Sequence, residues 1–429
     1  MNKVTKIITH KKPIYARILY FCVWKTKTHN SVNTLSNRIN SLAVSQTLEM
    51  AKRARELKAQ GADVISLNLG EPDFQTPNHI KDAAKKAIDN GQTFYTPVSG
   101  IPELRKAIAE KLVKENGLTD MKAENIVVST GAKQSLVNTL MCLINQGDEV
   151  VIFAPYWVSY YEMVKLADGV PVIINGTLEN EYKVTAEQVR QAITPRTKAI
   201  LYSSPCNPTG AVFSEQELTD IAKVVAEHEG IYIIADEIYE YINFTGKHFS
   251  IGSLPFIKDR VITVNGFSKG FAMTGWRAGY IAAPKWIADA CDKMQGQVTS
   301  GTCSITQHAA LAAITGDLTD TKKMSDAYFR RKNLLKTLLD GIKGIKSNNP
   351  QGAFYFFPDV SSFFGKSFNG KVINNSYELC IYLLTEAHVS LVDGEGFGEP
   401  NCMRISSAAS DENITEAMRR VKIALEKLV

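Results

Sequence analysis

From about residue 60 the chain alternates two rhythms. Short β-branched runs are separated by longer stretches in which apolar residues recur at helical spacing. The runs predict strands over Asn125–Ser129, Glu149–Phe153, Ala199–Ser203, Tyr232–Ala235 and Val261–Val264. The stretches between them predict helices over Gln134–Ile144, Glu215–Glu227 and Trp286–Gln297. Strands and helices in alternation read as α/β with a mostly parallel sheet. Near residue 320 the rhythm changes to a long charged helix, Thr321–Leu339, then an α+β tail with strand-like Ala353–Phe357 and Cys402–Ser406. The stretch Thr315-Gly-Asp-Leu-Thr-Asp320 between the two regimes fits a domain junction.

A chain of 429 residues is too long for one simple core and suggests two domains. With 45% hydrophobic and 22% charged residues it falls in the ordinary globular class. The formal charge of +5 is uneven: the first 30 residues carry +7 and the remainder −2, so the body lacks the basic character of a nucleic-acid binder. Seven scattered cysteines (22, 142, 206, 291, 303, 380, 402) show neither CxxC nor metal-ligand spacing, which points to reduced thiols in the cytoplasm. No apolar stretch reaches membrane-spanning length. The apolar segment Pro13–Trp24 is interrupted by Arg17 and followed by no clear small-residue cleavage site. It reads as a disordered extension or as residues ahead of the true start, with a targeting segment as the other reading.

Chemistry-bearing residues cluster after the predicted strands. Lys269 follows Val261-Ile-Thr-Val-Asn-Gly-Phe-Ser268, where burial lowers an amine's pKa and makes it a nucleophile toward a carbonyl. Ser129-Thr-Gly-Ala-Lys-Gln134 is either a plain strand-to-helix turn or an anion site at a helix start. In Ser204-Pro-Cys-Asn-Pro-Thr-Gly210, two prolines and a glycine hold Asn207 on a rigid turn. Asp236 ends an apolar strand, where it either caps the next segment or holds a proton on a heterocyclic nitrogen; Tyr239 is either core or part of the same site. One layer thus holds a lysine for an imine, an acid for a pyridinium, an arginine (Arg277) and helix start for a phosphate, and an amide and phenol for a ring oxygen. Together they describe pyridoxal 5'-phosphate.

Longer strings extend the pattern: Leu69-Gly-Glu-Pro-Asp-Phe74, Tyr95-Thr-Pro-Val-Ser-Gly-Ile-Pro-Glu-Leu-Arg105, Ala154-Pro-Tyr-Trp-Val-Ser-Tyr160, Asp236-Glu-Ile-Tyr239 and Ser268-Lys through Gly275-Trp-Arg277. On these the chain, from about Leu35 to its end, resembles the class I (fold-type I) pyridoxal-phosphate aminotransferases, in particular the bacterial aspartate subgroup. The resemblance implies a large domain with a mostly parallel mixed sheet between helices and a smaller α+β domain. It divides the chain into an extension (1–33, read as disordered), an arm with part of the small domain (34–75), the large cofactor-binding domain (76–318) and the small C-terminal domain (319–429).

Carried over residue by residue, the resemblance implies that Lys269 bonds the cofactor as an imine and later moves a proton at the substrate. Asp236 would pair with the pyridinium nitrogen, and Tyr239 and Asn207 with the ring oxygen. Arg277, Ser268 and the N–H groups of Gly131, Ala132 and Lys133 would hold the phosphate. Trp157 would stack on the ring. Tyr95 would reach the phosphate of a neighbouring subunit, so a homodimer is expected. Arg404 would grip the substrate α-carboxylate through both guanidinium arms, and the Gly70 backbone would close over it. Lys133, with Ser45 and Thr47, takes the place of a reader for a second carboxylate; an exposed helix-start lysine is its other reading. Departures from close relatives (Cys206, Gly266-Phe-Ser268 and Gln351) remove no catalytic group, and Phe267 is expected to tighten the cofactor pocket.

The expected activity is amino transfer from L-aspartate to 2-oxoglutarate by a cytoplasmic homodimer, with no metal, nucleic acid or membrane involved. Acceptance of prephenate or aromatic amino acids, and a lyase on the same scaffold, are the alternatives. A non-catalytic regulator of this fold would carry an N-terminal DNA-binding domain, for which about 35 residues leave no room.

Overall fold

The computed structural model describes residues 35–43 and 46–429, so Ser45 and the expected extension lie outside the described residues. Of the described residues, Leu35–Ser41 belong to a small separate unit, in which Ser36 caps the four-residue helix Asn37–Asn40. The chain from Leu42 onward forms one compact unit.

A seven-stranded sheet organises that unit. Its strands are β1 (Ile126–Ser129), β2 (Glu149–Ala154), β3 (Val170–Asn175), β4 (Thr197–Ser203), β5 (Tyr232–Asp236), β6 (Val261–Gly266) and β7 (Gly279–Ala282). Their order is β1-β7-β6-β5-β4-β2-β3, and β7 alone runs against the rest. Successive residues face opposite cores. Val150, Ile152, Ala199 and Leu201 enter one, while Val151, Phe153, Ile200 and Tyr202 enter another. With both faces buried, apolar residues are favoured at consecutive positions, which is why these strands read as unbroken runs. Two strands escape that signal. β3 is a partly exposed edge strand containing Pro171, and β7 is only four residues long.

A second core joins the ends of the chain. Met50 and Ala54 of helix Gln46–Ala59 pack with Leu383, Ile405, Ile414 and Val421. Ile65–Ser66 pairs in parallel with Val389–Ser390. Beside them β8 (Tyr355–Phe356), β9 (Val392–Asp393) and β10 (Met403–Ser406) form an antiparallel sheet in the order β9-β10-β8. Helix Thr319–Asp340 links the two regions. Tyr328 packs near Tyr239 and Phe354, whereas Leu335 and Leu339 enter the second core.

Asp393 is an anomaly in that core. Its side chain is fully buried, among the described residues no cation pairs with it, and the like charges of Glu395 and Glu49 act on it. Burial is the main reason its pKa rises to about 6. A carboxyl raised in the folded state destabilises that state as it ionises, so the penalty is absent below the unfolded value near 4 and complete above about 6. We predict that Asp393→Asn is more stable than the wild type by roughly 1–3 kcal/mol at pH 8, with the gap shrinking at pH 5. Chemical denaturation at the two pH values measures it; a gap that does not change with pH would refute this account.

Candidate active site

The six like-directed strands end on one edge of the sheet, and loops from five of them supply the cleft below. Open α/β sheets bind ligands at this edge. After β1, Gly131 takes φ 82° and starts helix Ala132–Leu143. A Cβ at Gly131 would lie 2.5 Å from Nη2 of Arg277, so only glycine leaves room for that guanidinium. A Cβ at Gly279 would meet the Ala132 nitrogen at 2.2 Å, so β7 packs directly under the same turn. Arg277 itself has φ 57°, in the left-handed region that is uncommon for a non-glycine residue. The Gly131 N–H donates to Ser129 O at 2.7 Å. The N–H groups of Ala132 and Lys133 open the helix, where first-turn donors lack main-chain partners.

A cleft of about 440 Å³ gathers most of the expected residues: Thr47, Gly70, Ala132, Lys133, Trp157, Asn207, Asp236, Tyr239, Ser268, Lys269, Arg277 and Arg404. That volume suits a cofactor-sized ligand. The Lys269 Nζ donates to Gly70 O at 2.6 Å. Burial lowers its pKa to about 8, and the charges of Arg404 and Arg277 push the same way. Asp236 is buried; Oδ2 accepts from the Tyr160 hydroxyl at 2.6 Å and Oδ1 from Ile238 N–H at 3.2 Å. Burial nevertheless raises its pKa to about 6. The Lys133 Nζ lies 4.7 Å from the centre of the Trp157 ring, and burial followed by the charge of Arg277 lowers its pKa.

Arg404, on β10, is 1% exposed. It donates to Asn207 Oδ1 at 3.0 Å and to Asn68 O at 2.7 Å, and the rings of Tyr355 and Phe397 flank it at 4.7 and 5.0 Å. Its Nε has no partner, and among the described residues no carboxylate pairs with it. A buried cation in that state is a receptor for an anion.

Two residues fall elsewhere. Tyr95 is fully exposed and lies outside the cleft lining of its own chain. Phe267 corrects the expectation placed on it: it packs against Phe271 and Tyr280 in the core under β1 and β7, outside the cleft lining. Sequence reasoning gave no role to Tyr160, Tyr355, Ser203, Leu48, Glu71 or Thr274, all of which line the cleft. Tyr160 and Tyr355 lie within strings already singled out; the missing signal was the direction of their side chains.

Residues 62–421 match the family described as aminotransferase class I and II. The chain belongs to this family. The aminotransferase is 45% identical over 391 residues to the aspartate/prephenate aminotransferase of Cereibacter sphaeroides, covering 90% of this chain and 98% of that one. It is 43% identical over 394 residues to the aspartate aminotransferase of Geobacillus stearothermophilus, covering 91% and 99%. The crystal structure of the Rhizobium meliloti aspartate aminotransferase superposes with a TM-score of 0.89 at 40% identity, covering 92% of this chain and all of that one. The Thermus thermophilus enzyme with maleate gives 0.85 at 40% identity, covering 91% and 99%. These neighbours share the fold-type I architecture, with its mostly parallel mixed sheet flanked by helices.

The aminotransferase braces its cleft from behind with buried charge. Glu237 and Glu240 follow Asp236 and Tyr239 in sequence. Glu237 accepts from the Ser250 hydroxyl at 2.6 Å and pairs with His248 at 3.0 Å. Glu240 pairs with Lys111 and accepts from Asn116 at 2.8 Å. Burial disfavours a charged His248, but Glu237 and Glu240 outweigh it and raise its pKa. With Glu115 3.8 Å from the Lys111 amine, three carboxylates thus gather around Lys111 and His248. We predict that Lys111→Met, which strands the Glu240 carboxylate, destabilises the fold by about 3–5 kcal/mol. Urea denaturation reads this out, and a loss below about 1 kcal/mol would mean that the cluster does not brace the site.

Proposed function

We propose that this aminotransferase moves the amino group of L-aspartate to 2-oxoglutarate, giving oxaloacetate and L-glutamate, with pyridoxal 5'-phosphate as cofactor. The observation that carries the reading is the pairing, in one cleft, of the Arg404 guanidinium without a carboxylate partner and the Lys269 amine with its pKa lowered to about 8. One receives the carboxylate common to amino and 2-oxo acids; the other is a base and nucleophile near neutral pH. Relatives named aspartate aminotransferase support the choice of substrate.

The residues present fit the cofactor. The Gly131 turn leaves space beside Arg277, the helix start offers N–H groups, and the buried Arg404 Nε has no partner among the described residues. When bound, pyridoxal phosphate supplies an electrophilic carbonyl and a ring that draws electrons from the substrate Cα. Asp236, poorly satisfied as a buried anion, would hold a proton on the ring nitrogen, and Tyr160 keeps its carboxylate oriented. Tyr239 and Asn207 would hydrogen-bond the ring oxygen. Arg277, Ser268 and the first helical N–H groups would grip the phosphate, and Trp157 would cover the ring. Lys269, released from Gly70 O, would take the Cα proton and deliver it to the cofactor's C4′, on the far side of the substrate nitrogen. Arg404 would fix the α-carboxylate so that this proton faces Lys269.

Lys133 and Thr47 would read the second carboxylate from the cleft mouth. The apolar Leu48 and Leu69 beside them favour a second reading, in which prephenate is also accepted. Exposed Phe94, Tyr95 and Val298 support a homodimer, because the Ser304 hydroxyl bonds Gln92 O at 2.7 Å and brings the segments around 94 and 298–304 together. No helix among the described residues is long and apolar enough to cross a membrane. The free thiols at the six described cysteines fit a cytoplasmic enzyme.

The test is the visible spectrum of protein reconstituted with pyridoxal phosphate. L-aspartate alone shifts the band to shorter wavelength and 2-oxoglutarate restores it, whereas Lys269→Ala completes no cycle; near-wild-type turnover in that variant would end the proposal. We further predict that Lys133→Ala raises KM for aspartate at least about tenfold, in line with loss of a charged hydrogen bond, and leaves KM for a monocarboxylic amino acid nearly unchanged. Equal effects on both substrates would remove Lys133 as the reader.

A further inference from the structure

Tyr355 is buried on β8, directly across from Ser406 and diagonal to Arg404. Its hydroxyl lies 2.7 Å from the Tyr239 hydroxyl, and either oxygen is able to donate. A Cβ added at Gly70 would lie 2.4 Å from the same hydroxyl, so the phenol also abuts the backbone whose carbonyl holds Lys269. The Arg404 guanidinium is stacked over its ring at 4.7 Å. One side chain therefore touches three groups to which the proposed function gives work.

Each phenol has one proton. If Tyr239 spends its proton on Tyr355, it has none to offer the cleft. If Tyr355 is the donor, the Tyr239 proton is free to turn inward. The position of Arg404 decides between these. A cation against the face of the Tyr355 ring draws electron density from its oxygen, which makes its O–H the more acidic of the pair and hence the donor.

We propose that Tyr355 is a positioning residue: it donates to Tyr239, directs the Tyr239 proton into the cleft, and carries Arg404 on its ring. The proposal rests on the aminotransferase reading of the cleft, in which Tyr239 serves the ring oxygen of the cofactor and Arg404 the substrate carboxylate.

The experiment is a pH titration of visible absorbance on protein reconstituted with pyridoxal phosphate. Tyr355→Phe keeps the ring and removes the hydroxyl. A weaker donor at Tyr239 leaves the ring oxygen more basic, so the midpoint rises by about half a unit to one unit, the worth of one neutral hydrogen bond. In a Tyr239→Phe background the same substitution gives no further shift. An unchanged midpoint, or an equal shift in the Tyr239→Phe background, overturns the relay. Tyr355→Leu, which also removes the platform, raises KM for aspartate roughly five- to tenfold above that of Tyr355→Phe. Equal KM values overturn the platform. A wild-type protein that takes up no cofactor overturns both the proposal and the reading beneath it.

Discussion

An uncompensated buried cation is the constraint around which this cleft is built. Removing a guanidinium from water without an anion is expensive, and the fold offsets the cost with neutral groups: the Asn207 amide oxygen, the Asn68 carbonyl and two aromatic faces. Each helper is thereby fixed. Asn207 is held on its proline-bounded turn, Asn68 at the strap leading into Gly70, and Tyr355 across β8. The same positive charge reaches Lys269 and, together with burial, brings its amine toward neutrality. A carboxylate beside Arg404 would relieve that cost and would occupy the place that the proposed function gives to the substrate.

The sheet imposes a second constraint. Both faces are packed with apolar side chains, so polar groups accumulate where strands end. At the end of β5 this yields two layers of charge within five residues. Asp236 and Tyr239 face the cleft, while Glu237 and Glu240 face the ion cluster of Lys111 and His248. The rear layer is paired within itself, so the loop is anchored by contacts separate from those that line the cleft.

The sequence made the central strands and the residues at their ends legible, because continuous apolar runs and the Gly/Pro turns after them are local signals. β3 was not readable, since Pro171 and partial exposure weaken its pattern, nor was β7, with four residues. Phe267 was placed wrongly because strand direction alone does not say which face a residue just past the strand will choose. Tyr160 and Tyr355 had residue type but no geometry. Their partners, Asp236 and Tyr239, are 76 and 116 positions away, and only the assembled sheet brings them together. The Gly131 N–H turned toward Ser129 is likewise a matter of one torsion angle, to which composition is blind.

The pairing of Ile65–Ser66 with Val389–Ser390 has a consequence for how the molecule is made. On the ribosome, helix Gln46–Ala59 emerges with an apolar face well before its packing partners, Ile405, Ile414 and Val421, are made. The seven-stranded sheet is able to close while synthesis continues, since all of its strands precede residue 283. The amino-terminal segment must stay undocked throughout that interval, open to chaperones or to a neighbouring nascent chain. The segment that carries Gly70 to Lys269 thus leans on a core whose other half is made long after the sheet.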